Sequence, residues 1–258
     1  MSRVTVQQFL VIVAVVATIA INALANALPL NGKTTGELSD KYPVLFTPAG
    51  YVFAVWGLIY MGLIAFAIYQ ALPRERDNPR LAGIRVPFLL SSVANIAWLF
   101  LWHYEYVTAT EPVMLALLAS LIVIYARLGI GRVEASRGER WAVHAPFSLY
   151  LGWITIATIA NTAITLYNLG WNGEPFSPSL WTAVIIAVAT LIAGTISFSR
   201  GDVVYGAVVV WALIGIIVKQ GDVQLIGVTA ALAALAIAIA AGRGFSATRG
   251  RRPSAAAA

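Results

Sequence analysis

Residues 50–72 read Gly-Tyr-Val-Phe-Ala-Val-Trp-Gly-Leu-Ile-Tyr-Met-Gly-Leu-Ile-Ala-Phe-Ala-Ile-Tyr-Gln-Ala-Leu, without one charged side chain. Residues 73–80 follow as Pro-Arg-Glu-Arg-Asp-Asn-Pro-Arg. A hydrocarbon core about 30 Å thick takes about 20 apolar residues in helix. The first stretch is therefore long enough to cross a bilayer, and the second marks where the chain leaves it. The apolar run is continuous, whereas the strands of a membrane barrel alternate. Seven further segments repeat the pattern, so the expected spans are residues 8–28, 50–72, 84–103, 112–130, 142–167, 179–198, 203–218 and 223–242. Composition agrees: of 258 residues 60% are hydrophobic and 11% charged, with a mean hydropathy of +0.81. A soluble domain carries about 25% charged residues, so a soluble enzyme is excluded. The chain has no Cys, which removes thiolate catalysis, disulfide stapling and Cys-based metal sites. The expected fold class is an all-α integral membrane protein.

The cationic residues fall unevenly between the spans. Arg3, Arg74, Arg76, Arg80, Arg85, Arg127, Arg132, Arg137, Arg140, Arg200, Arg243, Arg249, Arg251 and Arg252 lie on one side, and Lys33, Lys41 and Lys219 on the other. Fourteen against three is the bias of the positive-inside rule. It places both termini in the cytoplasm and supports eight spans, since a miscounted internal span would scramble the alternation. The net charge of +6 is thus explained by orientation and by anionic lipid, not by nucleic acid. Arg3, the apolar run and Ala23-Leu24-Ala25 also fit a secretory signal peptide, which would leave seven spans. The residues after 242 read as a basic disordered tail.

The membrane interior holds no Asp, Glu, Lys or Arg well inside a span; charges sit at span ends. Proton relays and coupled pumps place such groups inside, so pumping is disfavoured. No GxSxG, HExxH or phosphate loop occurs, and no carboxylate pair lies within a span. An enzyme is not expected, and no metal or required cofactor. His103 and His144 fall at opposite membrane faces and read as interfacial polar residues. A single axial haem ligand is the alternative for either.

Amides and hydroxyls make up the polar inventory of the spans. Asn22 and Asn26 share a face of span one, Asn95 precedes Trp98 by three residues, and Asn161 follows Trp153 by eight. A carboxamide facing lipid would be unpaired, so these residues point into the bundle, either as interhelical glue or as polar points in a pocket. Trp102, Trp141, Trp171 and Trp181 lie at span ends, where indoles form interfacial belts. Trp56, Trp98, Trp153 and Trp211 lie within spans. In span eight Ala230, Ala234 and Ala238 form a small-residue stripe suited to close contact, within the bundle or with a second copy in a homodimer. Leu121, Tyr125 and Arg127 fit a generic sterol-contact pattern. Val55-Trp-Gly-Leu-Ile59 is echoed by Val210-Trp-Ala-Leu-Ile214, as an inverted repeat would be.

Three segments in order resemble the tryptophan-rich sensory protein family, also called the translocator protein (TspO/MBR) family. Thr47-Pro-Ala-Gly-Tyr-Val-Phe-Ala-Val-Trp-Gly-Leu-Ile-Tyr60 is similar to the family's PPxWVFxPVWTxLY. Pro48, Val55, Trp56 and Tyr60 match, while Thr47, Gly50, Val52 and Ala54 are among the departures. Asn95-Ile-Ala-Trp98 fits NxxW. Tyr150-Leu-Gly-Trp153, Ala157, Asn161 and Asn168 fit PYxxWxxxAxxxN with a later Asn, Leu149 standing for the proline. The resemblance covers residues 1–170 and implies a five-helix bundle there, a three-helix membrane extension over 171–242 and the tail over 243–258. It implies binding of a hydrophobic flat ligand such as a porphyrin or haem, among helices one, two, three and five and under the loop Asn31–Phe46. The residues so carried over are Trp56, Tyr60, Asn95, Trp98, Trp153, Ala157 and Asn161. The role implied is sensory or in transport, at a prokaryotic plasma membrane. The partners expected are the lipid bilayer and a small hydrophobic molecule. The alternative is an eight-span facilitator or transporter of a small apolar solute.

Overall fold

The computed structural model describes residues 3–28, 30–171 and 173–250. Eight of its helices are long and apolar enough to cross a membrane. Span one is Arg3–Ala27, span two Val55–Ala71 after a 3-10 turn Gly50–Ala54, and span three Pro79–His103. Span four is Val107–Leu128; span five is Ala145–Asn168, entered through a short helix Arg137–Glu139 and a π-helical turn Arg140–His144. Spans six, seven and eight are Pro178–Arg200, Val203–Gln220 and Gln224–Gly250. Among the described residues there is no strand. The chain is a multi-pass integral membrane protein.

Local chemistry sets the boundaries. The Asn78 side chain accepts from Arg80 N and Leu81 N with Pro79 behind it, and Ser177 accepts from Leu180 N with Pro178 behind it. Both are polar N-caps followed by a proline that has no N–H to leave unpaired. Gly129 and Gly201, at φ 63° and 62°, close spans four and six in the left-handed region that glycine adopts without strain. Spans three and four start earlier than hydropathy suggests. The Asn78 cap carries Arg80 and Arg85 into the first two turns of span three, and span four, which has no side-chain cap, takes Glu111 into its second turn, where apolar windows cannot see them.

Each span shows two faces. In span two, Val55, Ile59, Leu63 and Phe66 are buried, while Leu58, Met61, Ile64 and Ile68 are exposed. That is helical periodicity, with the second face left for lipid. The first five spans close a ring in the order one, three, four, five, two and back to one. The ring is tied at one end by reciprocal amides: Gln8 Nε2 donates to Gln70 O (2.6 Å), and Gln70 Nε2 to Gln8 O (3.0 Å). Gly62 permits spans two and five to touch, since a Cβ there would lie 2.9 Å from Pro146 Cβ.

Spans six, seven and eight pack on one another and meet the ring mainly through span seven against span five. Gly152 of span five allows it, because a Cβ would overlap the Val208 side chain. The turn between spans six and seven is pinned by Asp202. Its Oδ2 accepts from Tyr125 Oη (2.7 Å) and Ser148 Oγ (2.6 Å), and its Oδ1 from Tyr205 N (3.0 Å).

Three readings of the sequence change. The tight face of span eight is Ile226, Ala230, Ala233, Ile237 and Ala241, all buried; Ala238 is exposed. The stripe 230/234/238 is therefore not one contact surface, because every-fourth spacing drifts round a helix of 3.6 residues per turn. Tyr125 turns inward to Asp202, so the sterol pattern does not lie on one lipid-facing side. Span eight continues through Gly250, past residue 242 where composition places the start of the tail; residues 251–258 lie outside the described residues.

Candidate functional site

The segment between spans one and two folds over one end of the ring. Its short helix Thr35–Asp40 is started by a capping box: Thr34 Oγ1 accepts from Glu37 N (3.3 Å), and the Glu37 carboxylate accepts from Thr34 N (2.7 Å). These bonds to Thr34 hold the Glu37 carboxyl below the usual carboxylate range. Asn26 Oδ1 accepts from Thr35 N (3.4 Å). The Lys41 ammonium pairs with Glu105 in the turn between spans three and four, and Lys33 lies 3.8 Å from the same carboxylate. The hydrogen bond from Lys41 lowers the Glu105 pKa.

Beneath this lid lie two small adjoining cavities. The outer one is bounded by Thr35, Ser39 and Pro48 of the lid, by Trp98 and Trp102, and by the Ile156–Ile164 face of span five. The inner one is bounded by Trp56, Asn95, Ile154 and, from span four, Met114 and Leu117. No residue of span one borders either cavity, so the walls expected from spans one, two, three and five are instead spans two, three, four and five. Phe53, Trp98, Trp153 and Ala157 border both. The rings brace one another. Trp98 and Trp102 stack at 5.5 Å and 13°. Trp153 meets Phe53 at 5.7 Å and Trp56 at 6.3 Å, both edge-on. Edge-on and offset contacts are the favourable arrangements of aromatic quadrupoles.

Of the seven residues singled out by sequence, six border these cavities: Trp56, Asn95, Trp98, Trp153, Ala157 and Asn161. Tyr60 does not; it stacks on Trp56 at 5.6 Å and backs it. The amides are engaged in tying helices. Asn95 accepts from Asn22 Nδ2 (2.8 Å) and donates to Tyr150 Oη (3.1 Å), joining spans one, three and five. Asn161 Oδ1 accepts from Trp98 Nε1 and from Thr110 Oγ1, both at 3.0 Å. Its Nδ2 donates to Glu111 Oε2 (2.7 Å), whose other oxygen accepts from Thr162 Oγ1 (2.7 Å). Trp153 differs. Its Nε1 is buried and has no hydrogen-bond partner among the described residues.

Sequence reasoning missed Phe53, Trp102 and Glu111. Trp102 sits four residues after Trp98 and hence on its face, so helical spacing carried the signal, but its place at a span end suggested an interfacial belt. It is instead buried, with Nε1 donating to Thr35 O (3.3 Å). Both histidines stand at span ends with buried side chains: His103 Nδ1 lies 2.8 Å from Leu99 O, and His144 Nε2 lies 3.8 Å from Glu139 Oε1. Neither borders the cavities. Among the described residues no cluster of three or more His, Asp or Glu could hold a metal.

No curated protein and no solved structure matches the chain. The sequence profile of the family described as TSPO-like protein matches residues 8–243, through spans six to eight as well as the ring. The chain belongs to the TSPO-like protein family.

Proposed function

We propose that this TSPO-like protein binds a flat hydrophobic molecule of the porphyrin or haem type between spans two, three, four and five, in a sensory or transport role and without catalysis. The observation that carries the reading is the pair of adjoining cavities under the lid, walled by braced indole and phenyl rings. The cavities are small with the lid down, so a flat ligand is admitted only as the lid and the bordering rings move apart. The polar lining narrows the chemistry. Asn95 and Asn161 are spent on helix ties, whereas the Trp153 N–H is buried and open. A ligand that is apolar in its body and offers one acceptor at that point satisfies the site; an unmet buried donor costs free energy. Each Glu111 oxygen accepts one bond, from Asn161 and from Thr162, which ties span four to span five.

On this reading spans one to five form the ligand unit and spans six to eight a membrane unit packed beside it; the family profile covers both, so the match does not stop at residue 170 as the motifs suggested. The arginine bias supports a cytoplasmic basic end with both termini there and the lid on the other side, and the membrane proposed is a prokaryotic plasma membrane. Titration of the purified full chain with protoporphyrin IX tests the proposal by quenching of Trp fluorescence. Saturable quenching is expected. Truncating a pocket Trp at a binding site costs about 2 kcal/mol or more, so Trp56→Ala and Trp153→Ala should each weaken binding on the order of 30-fold. Unchanged affinity in both variants refutes the pocket.

A further inference from the structure

Span seven lies outside the ring, yet it touches the lid at five points. Ala49 N donates to Gly215 O (3.1 Å), and Trp211 Nε1 donates to Val52 O (3.1 Å). The Tyr51 and Trp211 rings meet edge-on at 5.3 Å. The Lys219 ammonium pairs with the Asp40 carboxylate and donates to Thr47 Oγ1 (3.1 Å). The approach is close because residue 215 has no side chain. A Cβ there would overlap the Val52 side chain and lie 3.0 Å from Pro48 Cβ.

The same stretch of lid that span seven grips also closes the cavities. Ser39 and Pro48 border the outer one and Phe53 both. Each is within a few residues of a lid group bonded to span seven: Ser39 beside Asp40, Pro48 beside Ala49, and Phe53 beside Val52. Withdrawing Pro48 or Phe53 from the cavity therefore breaks bonds to span seven first. The Ala49 N–H is a main-chain group outside the helix ladders, and without span seven it would need another partner; the Val52 C=O also accepts from Val55 N in the 3-10 turn.

We propose that span seven is the strap that holds the lid of the ligand cavity shut, with Gly215, Trp211 and Lys219 as its positioning residues. The proposal rests on reading the cavity as the ligand site. It gives the added helices a task in that site: they set how readily the lid opens, and so how fast ligand exchanges.

The chain contains no Cys, so Ser39→Cys installs a unique thiol at a buried position under the lid. The full chain in lipid vesicles is treated with a maleimide, and the labelling rate reads lid opening without any ligand. Trp211→Phe keeps the ring but removes the donor, and Lys219→Met removes the ammonium. Each lost bond should raise labelling several-fold, and the double variant on the order of tenfold or more. Gly215→Val should do likewise by displacing Val52. Release of protoporphyrin IX, followed by recovery of Trp fluorescence, should accelerate in parallel. Labelling in the Phe/Met double variant within about twofold of the parent overturns the strap, even where Gly215→Val fails to fold. Faster labelling with no saturable protoporphyrin binding upholds the strap and overturns the ligand reading alone.

Discussion

Asp202 is the point at which removing one side chain should loosen the added helices from the ring. Its carboxylate gathers three donors from three spans: Tyr125 Oη of span four, Ser148 Oγ of span five, and the backbone N of Tyr205 in span seven. Tyr205 continues the tie by donating to Thr155 Oγ1 (2.9 Å) of span five. In Asp202→Ala the N-cap is lost, at about 1 kcal/mol. Interhelical hydrogen bonds in lipid average about 0.6 and reach about 1.7 kcal/mol. The two hydroxyl bonds belong near the top of that range, because the acceptor is a carboxylate and both hydroxyls are stranded. The expected cost is about 4 kcal/mol, a large part of a net stability of about 5–15 kcal/mol. Asp202→Asn keeps the cap and one acceptor and should cost about 1–2 kcal/mol. The assay is reversible unfolding of the full chain in mixed micelles, with a double-mutant cycle of Asp202→Ala and Tyr125→Phe. Coupling of about 1 kcal/mol or more is expected. Coupling within about 0.5 kcal/mol of zero, or equal losses in the Ala and Asn variants, refutes the reasoning.

Two further outcomes follow from the site. Asn161→Leu strands the Trp98 indole N–H and one Glu111 oxygen, while the Thr110 hydroxyl keeps Val107 O (2.6 Å); the same unfolding assay should show a loss of about 2 kcal/mol, and Asn161→Asp should recover only the bond accepted at Oδ1. The Glu105 carboxyl is held below its ordinary value by Lys41. Its contribution is therefore complete at pH values above the ordinary carboxylate range and is lost as pH falls through the lowered folded value. The melting-temperature difference between wild type and Glu105→Gln should be constant near neutral pH and shrink once the pH drops below about 4.5. A difference that grows on acidification would contradict the ion pair.

What the sequence made legible depended on whether the signal was additive along the chain. Apolar runs such as residues 50–72 are, so eight spans could be read directly. The ring closure was carried by motif spacing, since Asn95 with Trp98, and Trp153 with Asn161, each lie on one helical face. Pairings across helices are not additive. Glu111 sits in the first turns of span four and reads as a boundary charge, yet Asn161 and Thr162 bury it in hydrogen bonds. Trp102 and Trp171 both lie at span ends in sequence. Only the path of the lid decides that Trp102 is buried against Thr35, while Trp171 meets Trp181 edge-on at 4.9 Å. Gly215 carries no signal in sequence, because its meaning is the proximity of Val52, more than 150 residues away.

The two attachments of span seven also separate stability from access. Val203–Gln220 is 18 residues, or about 27 Å of helix, so the Asp202 pin and the Gly215–Lys219 strap lie near opposite ends of one rod. The pin is buried and joins side chains to a carboxylate. Arg200 reinforces it, with Nη1 donating to Ile130 O (3.1 Å) and the guanidinium 5.6 Å from the Tyr125 ring centroid. At the strap, Lys219 and Asp40 are partly exposed, and exposed ion pairs contribute little to global stability. Local opening draws on weakly held segments and not on the whole fold. Asp202→Ala should thus lower unfolding stability while leaving maleimide labelling at Ser39→Cys nearly unchanged under native conditions. Lys219→Met should do the reverse. If instead both variants move stability and labelling in fixed proportion, the lid opens only by global unfolding, and span seven is a packing element with no separate hold on the cavity.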